Sequence, residues 1–261
     1  MSGLHERLGR LARAPMLLVA SDYDGTLAPI VSDPAQALPR RESLRALRRL
    51  ALLPRTRAAI ISGRALGDLA QLTASPERVL LVGSHGGEFD RSFADDLSPE
   101  RLALRARIQH ELSDIAGRCR GCHVEPKPAG AAFHFRNADA GAAEKALDEV
   151  LRGPGARDGV FIKHGKKVVE LSVIAADKGA TIDTLRADLH ASAVLFLGDD
   201  TTDEDAFRRL RDADLGVKIG PGETAAHCRV ASDLEAADLL RELADLRATW
   251  LARTGAATGP A

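Results

Sequence analysis

Met16-Leu17-Leu18-Val19-Ala20-Ser21-Asp22-Tyr23-Asp24-Gly25-Thr26-Leu27 decides the fold. Five apolar residues in a row fit a strand of a parallel sheet covered on both faces, and ligands of such sheets gather at the carboxyl ends of the strands. This strand ends in two acids. Side chains alternate along an extended chain, so Asp22 and Asp24 start on the same side, and Gly25 lets the backbone turn away after them. Two carboxylates this close repel unless a proton or cation intervenes, and hard oxygen ligands suit Mg2+. By themselves, Asp and Gly here fit a simple turn equally well.

The rest of the chain repeats the pattern. Arg57 to Ile61 reads as a strand running into Ser62-Gly63-Arg64, before a helix from Ala65 to Leu72. Ser62 there is either a helix N-cap or part of an anion site at the electropositive helix end. Val79 to Val82 leads into Gly83-Ser84-His85-Gly86-Gly87-Glu88, where His85 either positions a ligand or sits satisfied in a loop. Lys178-Gly179 opens a helix over 180 to 189. Val194 to Leu197 is a fourth such strand, ending in Gly198-Asp199-Asp200-Thr201-Thr202-Asp203-Glu204-Asp205. Acids at a helix start suit its dipole, which accounts for Asp203 to Asp205 but poorly for Asp199. Leu215 to Ile219 is a further strand, helices are expected over 3 to 13, 41 to 53 and 234 to 246, and the tail from Arg253 should be disordered. The first helix is expected to cover the sheet edge.

Between these blocks the chain changes character. Helices over 102 to 115 and 142 to 151 alternate with strands over 122 to 125, 131 to 135, 160 to 163 and 168 to 171. This predicts a small open-faced α/β domain. Its strands carry Glu125, Lys127, His134, Arg136, Lys166 and Glu170, which form either the wet face of a sheet or a surface that reads hydroxyls.

Composition narrows the function. Only 3% of the 261 residues are aromatic and the formal net charge is -1, so little is available for base stacking and there is no whole-molecule field to attract nucleic acid or an anionic membrane. Three cysteines form no even framework, and Cys119-Arg120-Gly121-Cys122 lacks the second pair that a zinc site wants. No signal peptide or membrane span is evident, so a cytoplasmic monomer acting on a small molecule is expected, with no nucleic-acid or membrane partner.

In the order Asp22-x-Asp24-Gly25-Thr26-Leu27, Ser62, Lys178-Gly179, Gly198-Asp199-Asp200, the chain resembles the haloacid dehalogenase superfamily. Within it, Leu27-Ala28-Pro29-Ile30, Ser62-Gly63-Arg64, Gly83-Ser84-His85-Gly86, Glu125-x-Lys127, His134-Phe135-Arg136, Val169-Glu170 and Gly198 to Asp205 are similar to the trehalose-6-phosphate phosphatases. The resemblance runs from about Leu17 to Leu240 and departs at Leu171-Ser172-Val173, where that family usually has Arg-Pro after the glutamate. It implies an α/β fold: a Rossmann-like haloacid dehalogenase core with a parallel sheet over 1–100 and 174–261, and an inserted smaller α/β cap domain over 101–173 that sets substrate specificity. It implies a Mg2+-dependent phosphoric monoester hydrolase that converts trehalose 6-phosphate to trehalose and phosphate. Asp22 would be the nucleophile and Asp24 the acid and base, with Ser62 and Lys178 holding phosphoryl oxygens. Asp22, Asp24 and Asp199 would hold the metal, supported by Asp200. Arg64, His85, Glu125, Lys127, Arg136, Lys166 and Glu170 would bind the sugar phosphate. The alternatives are a phosphatase or mutase for another sugar phosphate, and a catalytically inactive copy that senses or binds.

Overall fold

Strand β1, Leu17–Ser21, is buried along its whole length because both faces are covered. Leu17 and Val19 enter one core cluster, while Leu18 and Ala20 enter another. The computed structural model that shows this describes residues 2–88, 97–165, 167–174 and 177–254. Contacts divide the chain into two units, Met1–Phe89 with Asp177–Ala261, and Asp90–Ala176.

In the first unit, α1 (Ser2–Leu11) precedes β1, and α2 (Arg41–Leu52), β2 (Thr56–Ile61), α3 (Leu66–Thr73) and β3 (Val79–Val82) follow it. The second unit supplies α4 (Pro99–Arg118), β4 (His123–Lys127), β5 (Gly130–His134), α5 (Ala140–Arg152), β6 (Phe161–Gly165) and β7 (Val168–Ser172). The chain returns through α6 (Lys178–Asp188), β8 (Ala193–Gly198), α7 (Glu204–Phe207), β9 (Leu215–Ile219), β10 (Cys228–Val230) and α8 (Asp233–Arg253).

Six strands form a parallel sheet in the order β10-β9-β8-β1-β2-β3. The central neighbours β1 and β8 pair Leu17 with Ala193 through to Ser21 with Leu197, so Asp22 and Asp199 leave the sheet at the same end. Leu8, Leu11, Leu47, Leu50, Leu240 and Leu243 pack α1, α2 and α8 on one face, and Ile182, Leu185 and Phe207 pack α6 and α7 on the other. Helix α1 therefore does not cover the sheet edge: it lies against α8 and the interior strand β8. The guanidinium of Arg247, wholly buried in α8, donates to the carbonyls of Ala12 (3.0 Å), Ala14 (2.5 Å) and Arg55 (2.7 Å) and to the Thr56 hydroxyl (3.1 Å).

The second unit is a four-stranded antiparallel sheet, β4-β5-β7-β6, whose Ala131, Phe133, Val169 and Leu171 pack with Ile108, Leu112 and Val150 of α4 and α5. Leu97 and Val173 belong to the same core. Leu97 lies before the expected 101–173 and Ile174, packed against the same core, lies after it, so the unit boundaries fall outside that range. Of the Leu171-Ser172-Val173 stretch that departs from the family pattern, Leu171 and Val173 are thus core residues. No helix among the described residues is long and apolar enough to cross a membrane, and the expectation for the tail falls outside the described residues from 255 onward.

Candidate active site

Asp22 leaves β1 almost wholly buried, and its backbone N–H donates to Leu197 O on the adjacent strand at 2.8 Å. Lys178, the first residue of α6, reaches it: Nζ lies 2.6 Å from Asp22 Oδ1 and 2.7 Å from Asp203 Oδ1. Asp203 uses its other oxygen to accept from the backbone N–H groups of Asp199 (2.8 Å) and Asp200 (2.9 Å). Carboxylate oxygens of Asp22, Asp199 and Asp203 all lie within 4.8 Å of one another. Close approach dictates two glycines. A Cβ on Gly25, whose φ is +81°, would stand 2.1 Å from Asp199 Oδ2, and one on Gly198 would stand 2.3 Å from Asp203 Cγ.

Charge governs this cluster. Three carboxylates face one ammonium. Burial works against the Lys178 charge, but Asp203 and Asp22 outweigh it and raise its proton affinity, so it stays an ammonium. Asp22 is raised well above an ordinary carboxylate by burial, with Lys178 opposing and Asp203 and Asp199 adding. Burial, then Asp203 and Asp200, push Asp199 up to about 7, against Lys178 and a hydrogen bond with Asp22. The group is short of positive charge.

A hard divalent cation fits that shortage. Asp199 Oδ1 is buried and has no hydrogen-bond partner, and the donors are all carboxylate oxygens. Asp203, both of whose oxygens are engaged, acts as a strut, which leaves Asp22 and Asp199 as the residues able to face the ion. Asp203 was explained in the sequence by the helix dipole alone. Asp200-x-x-Asp203 is in fact a reciprocal capping box, a pattern visible in the sequence that would have drawn attention to it.

The remaining expected residues separate. Asp200 is exposed and outside the acidic group; its carboxylate accepts from Thr201 N (2.6 Å) and Oγ1 (3.1 Å). Asp24 is held through both oxygens by Arg64, at 2.6 and 2.7 Å, and the Arg64 guanidinium carbon lies 5.4 Å from the Tyr23 ring centre. Ser62 is buried but is not the N-cap of α3, where Ala65 stands. Its hydroxyl accepts from Arg64 N at 3.1 Å, while buried Glu88, which the sequence reading did not single out, accepts from Leu66 N at 3.1 Å and from the Ser84 hydroxyl. His85, at φ 57°, donates its backbone N–H to Ser62 O at 2.8 Å and lays its ring against Gly63.

In the second unit, Glu125 and Lys127 project from β4 and Glu170 from β7, with Arg136 exposed just past β5. Lys127 Nζ lies 2.7 Å from Glu125 Oε1, and His134 Nε2 lies 2.9 Å from Glu125 Oε2. Burial alone would raise Glu125, but His134 and Lys127 bring it down to about 2. Lys166 is outside the described residues. Cys119 and Cys122 are free thiols outside the acidic group, and burial followed by Cys119 pushes the Cys122 thiol up to about 12, which suits neither metal ligation nor exchange.

The trehalose-phosphatase family model matches residues 20–240. The chain belongs to this family. It is 36% identical over 241 residues to a bifunctional trehalose-6-phosphate synthase/phosphatase of Thermoproteus tenax, covering 89% of this chain and 32% of that one. It is 35% identical over 271 residues to a trehalose-phosphate phosphatase of Mycobacterium ulcerans, covering 95% and 68%. The chain thus spans about a third of the first relative and two thirds of the second. Among solved structures, the C-terminal domain of a C. albicans trehalose-6-phosphate phosphatase aligns with a TM-score of 0.79 at 23% identity, over 93% of this chain and 96% of that one. The fold is that of the haloacid dehalogenase superfamily, a parallel-sheet core with a second α/β unit.

Proposed function

We propose that this trehalose-phosphatase family member hydrolyses trehalose 6-phosphate to trehalose and phosphate through a phosphorylated Asp22. The supporting observation is the buried group in which Lys178 links Asp22 to Asp203 beside Asp199. Asp22 attacks phosphorus in line, the bond from phosphorus to the sugar oxygen breaks, and Asp24 gives that oxygen a proton. Water then attacks the acyl phosphate, and Asp24 takes the water proton. Lys178 fixes the Asp22 carboxylate, and with the Ser62 hydroxyl it offsets charge on the phosphoryl oxygens. Arg64 donates to both Asp24 oxygens in the resting chain; an arriving phosphate competes for the guanidinium and frees an Asp24 oxygen to take up from solvent the proton it then gives to the sugar oxygen. Asp22 and Asp199, with the Asp24 carbonyl, would hold Mg2+, and when bound the ion offsets the repulsion between an anionic nucleophile and an anionic phosphate.

Recognition of the sugar is assigned to the second unit, through Glu125, Lys127, Arg136 and Glu170, with His85 and Arg64 near the phosphate. Polar groups that pair with hydroxyls discriminate against analogues that leave them unpaired. The free thiols suit a reducing cytoplasm. Phosphate release from a panel of sugar phosphates, with and without Mg2+, tests the proposal. Preferential, Mg2+-dependent turnover of trehalose 6-phosphate is expected; preference for a different sugar phosphate, or no turnover, would reject it.

A further inference from the structure

The polar face of the four-stranded sheet is more ordered than a solvated surface requires. Alternation puts His123, Glu125 and Lys127 on one side of β4. The strand register sets His123 opposite His134 and carries a rung from Glu125 to Ala132, Glu170 and Lys163. Ala131, Phe133, Val169 and Leu171 occupy the other, buried side. On the polar face, Glu125 is gripped from both directions, with Lys127 on Oε1 at 2.7 Å and His134 on Oε2 at 2.9 Å. The His134 ring is itself fixed, stacked on His123 with centroids 4.5 Å apart and planes 3° from parallel.

An ionised carboxylate only accepts hydrogen bonds, so the His134 nitrogen is the donor. The Glu125 side chain is 37% exposed, and ion pairs at such exposure add little to stability. Stability is therefore a weak reason for fastening one carboxylate twice and then fastening its fastener. A carboxylate offers roughly four acceptor positions. Its two neighbours take one on each oxygen, which leaves acceptor positions on a group that can no longer swivel. Two acceptors in a fixed plane suit a pair of adjacent hydroxyls on a sugar ring, and preorganisation of that kind lowers the cost of binding.

We propose that His134 is a positioning residue that sets the plane of Glu125 so that this carboxylate accepts from two neighbouring sugar hydroxyls. The inference rests on, and deepens, the assignment of this sheet face to sugar recognition.

The test compares kcat and KM for trehalose 6-phosphate and for a small aryl phosphate in Glu125→Ala, His134→Ala, the double variant, His134→Gln and His134→Asn. His134→Ala should raise KM for the disaccharide and lower its kcat/KM roughly tenfold to a hundredfold, the effect of losing a hydrogen bond to a charged group. The aryl phosphate should stay within about twofold, and the double variant should be no worse than Glu125→Ala by more than about twofold. Gln keeps a donor at the same reach and should restore discrimination; Asn is too short and should behave like Ala. This pair still decides the question where His134→Ala does not fold. A selective Glu125→Ala with an unselective or harmless His134→Ala, additive losses in the double variant, or Gln no better than Asn would overturn the inference alone. An unselective Glu125→Ala would overturn the assignment of the sheet face to sugar recognition, and the inference with it.

Discussion

Asp199 in the first unit and Glu125 in the second are both partly enclosed carboxylates, yet their proton affinities move in opposite directions, to about 7 and to about 2. Burial raises both. What differs is the company: Asp199 sits among Asp203, Asp200 and Asp22 with one shared ammonium, whereas Glu125 is held by a lysine and a histidine. The first arrangement is incomplete and accommodates an incoming cation. The second is complete and holds a shape. One chain thus uses carboxylates in two ways, as a charge deficit where chemistry is proposed and as a rigid acceptor where recognition is proposed.

The sharpest break in that contrast is Asp22→Asn. Turnover should fall on the order of 10⁴-fold or more, since an amide is a poor nucleophile. Melting without metal should hold steady or rise, because one of three crowded acids has become neutral. Phosphate release beside a thermal melt checks both halves, and a lowered Tm would contradict the account of the charge deficit.

Divalent cation is the next lever. Because Asp199 is raised, the folded chain keeps a proton that the unfolded chain has lost between the ordinary carboxylate value near 3.9 and about 7. Without metal, this group therefore makes stability decline as pH rises through that window and level off above it. A cation competes with that proton, so Mg2+ should raise Tm more at pH 8 than at pH 5.5 and release protons near pH 6. Calorimetry in buffers of different ionisation enthalpy reads the release; equal shifts at both pH values would count against Asp199 as a ligand.

Glu170→Ala probes the opposite unit. It should lower kcat/KM for trehalose 6-phosphate roughly tenfold to a hundredfold and spare a small aryl phosphate, and equal losses would remove the sheet face from the specificity argument. The smallest effect concerns Glu125 and stability. Its depressed value stabilises the fold above the ordinary carboxylate pKa, and that contribution is lost as pH falls toward 2. Its exposure limits the gain to under about 1 kcal/mol. Denaturant titrations of Glu125→Gln should therefore differ slightly from the parent chain at pH 7 and converge as the medium turns acidic.

Much of the fold was legible because the sheet strands are short apolar runs that stop at polar residues. Met16 to Ala20 and Val194 to Leu197 announce buried strands, and the acids after them announce the site. Asp203 escaped because a plausible local role, an acid at a helix start, concealed a tertiary one. Glu88 and Arg247 escaped for a related reason: a charged residue in a loop or on a helix reads as solvated until its partners, which here include backbone groups distant in sequence, are known. Asp200 is the converse case, since adjacency to Asp199 could not reveal that its carboxylate turns to Thr201. The two-sided hold on Glu125 depends on strand register, which alternating polar residues suggest but do not determine.

The pairing of β1 with β8 carries a consequence for biosynthesis. Asp22 is made more than 150 residues before Lys178, Asp199, Asp203 and the adjacent strand β8. Until then Asp22 has neither β8 nor its buried partners beside it, while the intervening Asp90–Ala176 segment is already contiguous. On the proposed chemistry, reactivity toward phosphate esters would therefore arise only once the segment carrying Lys178, Asp199 and Asp203 has been made.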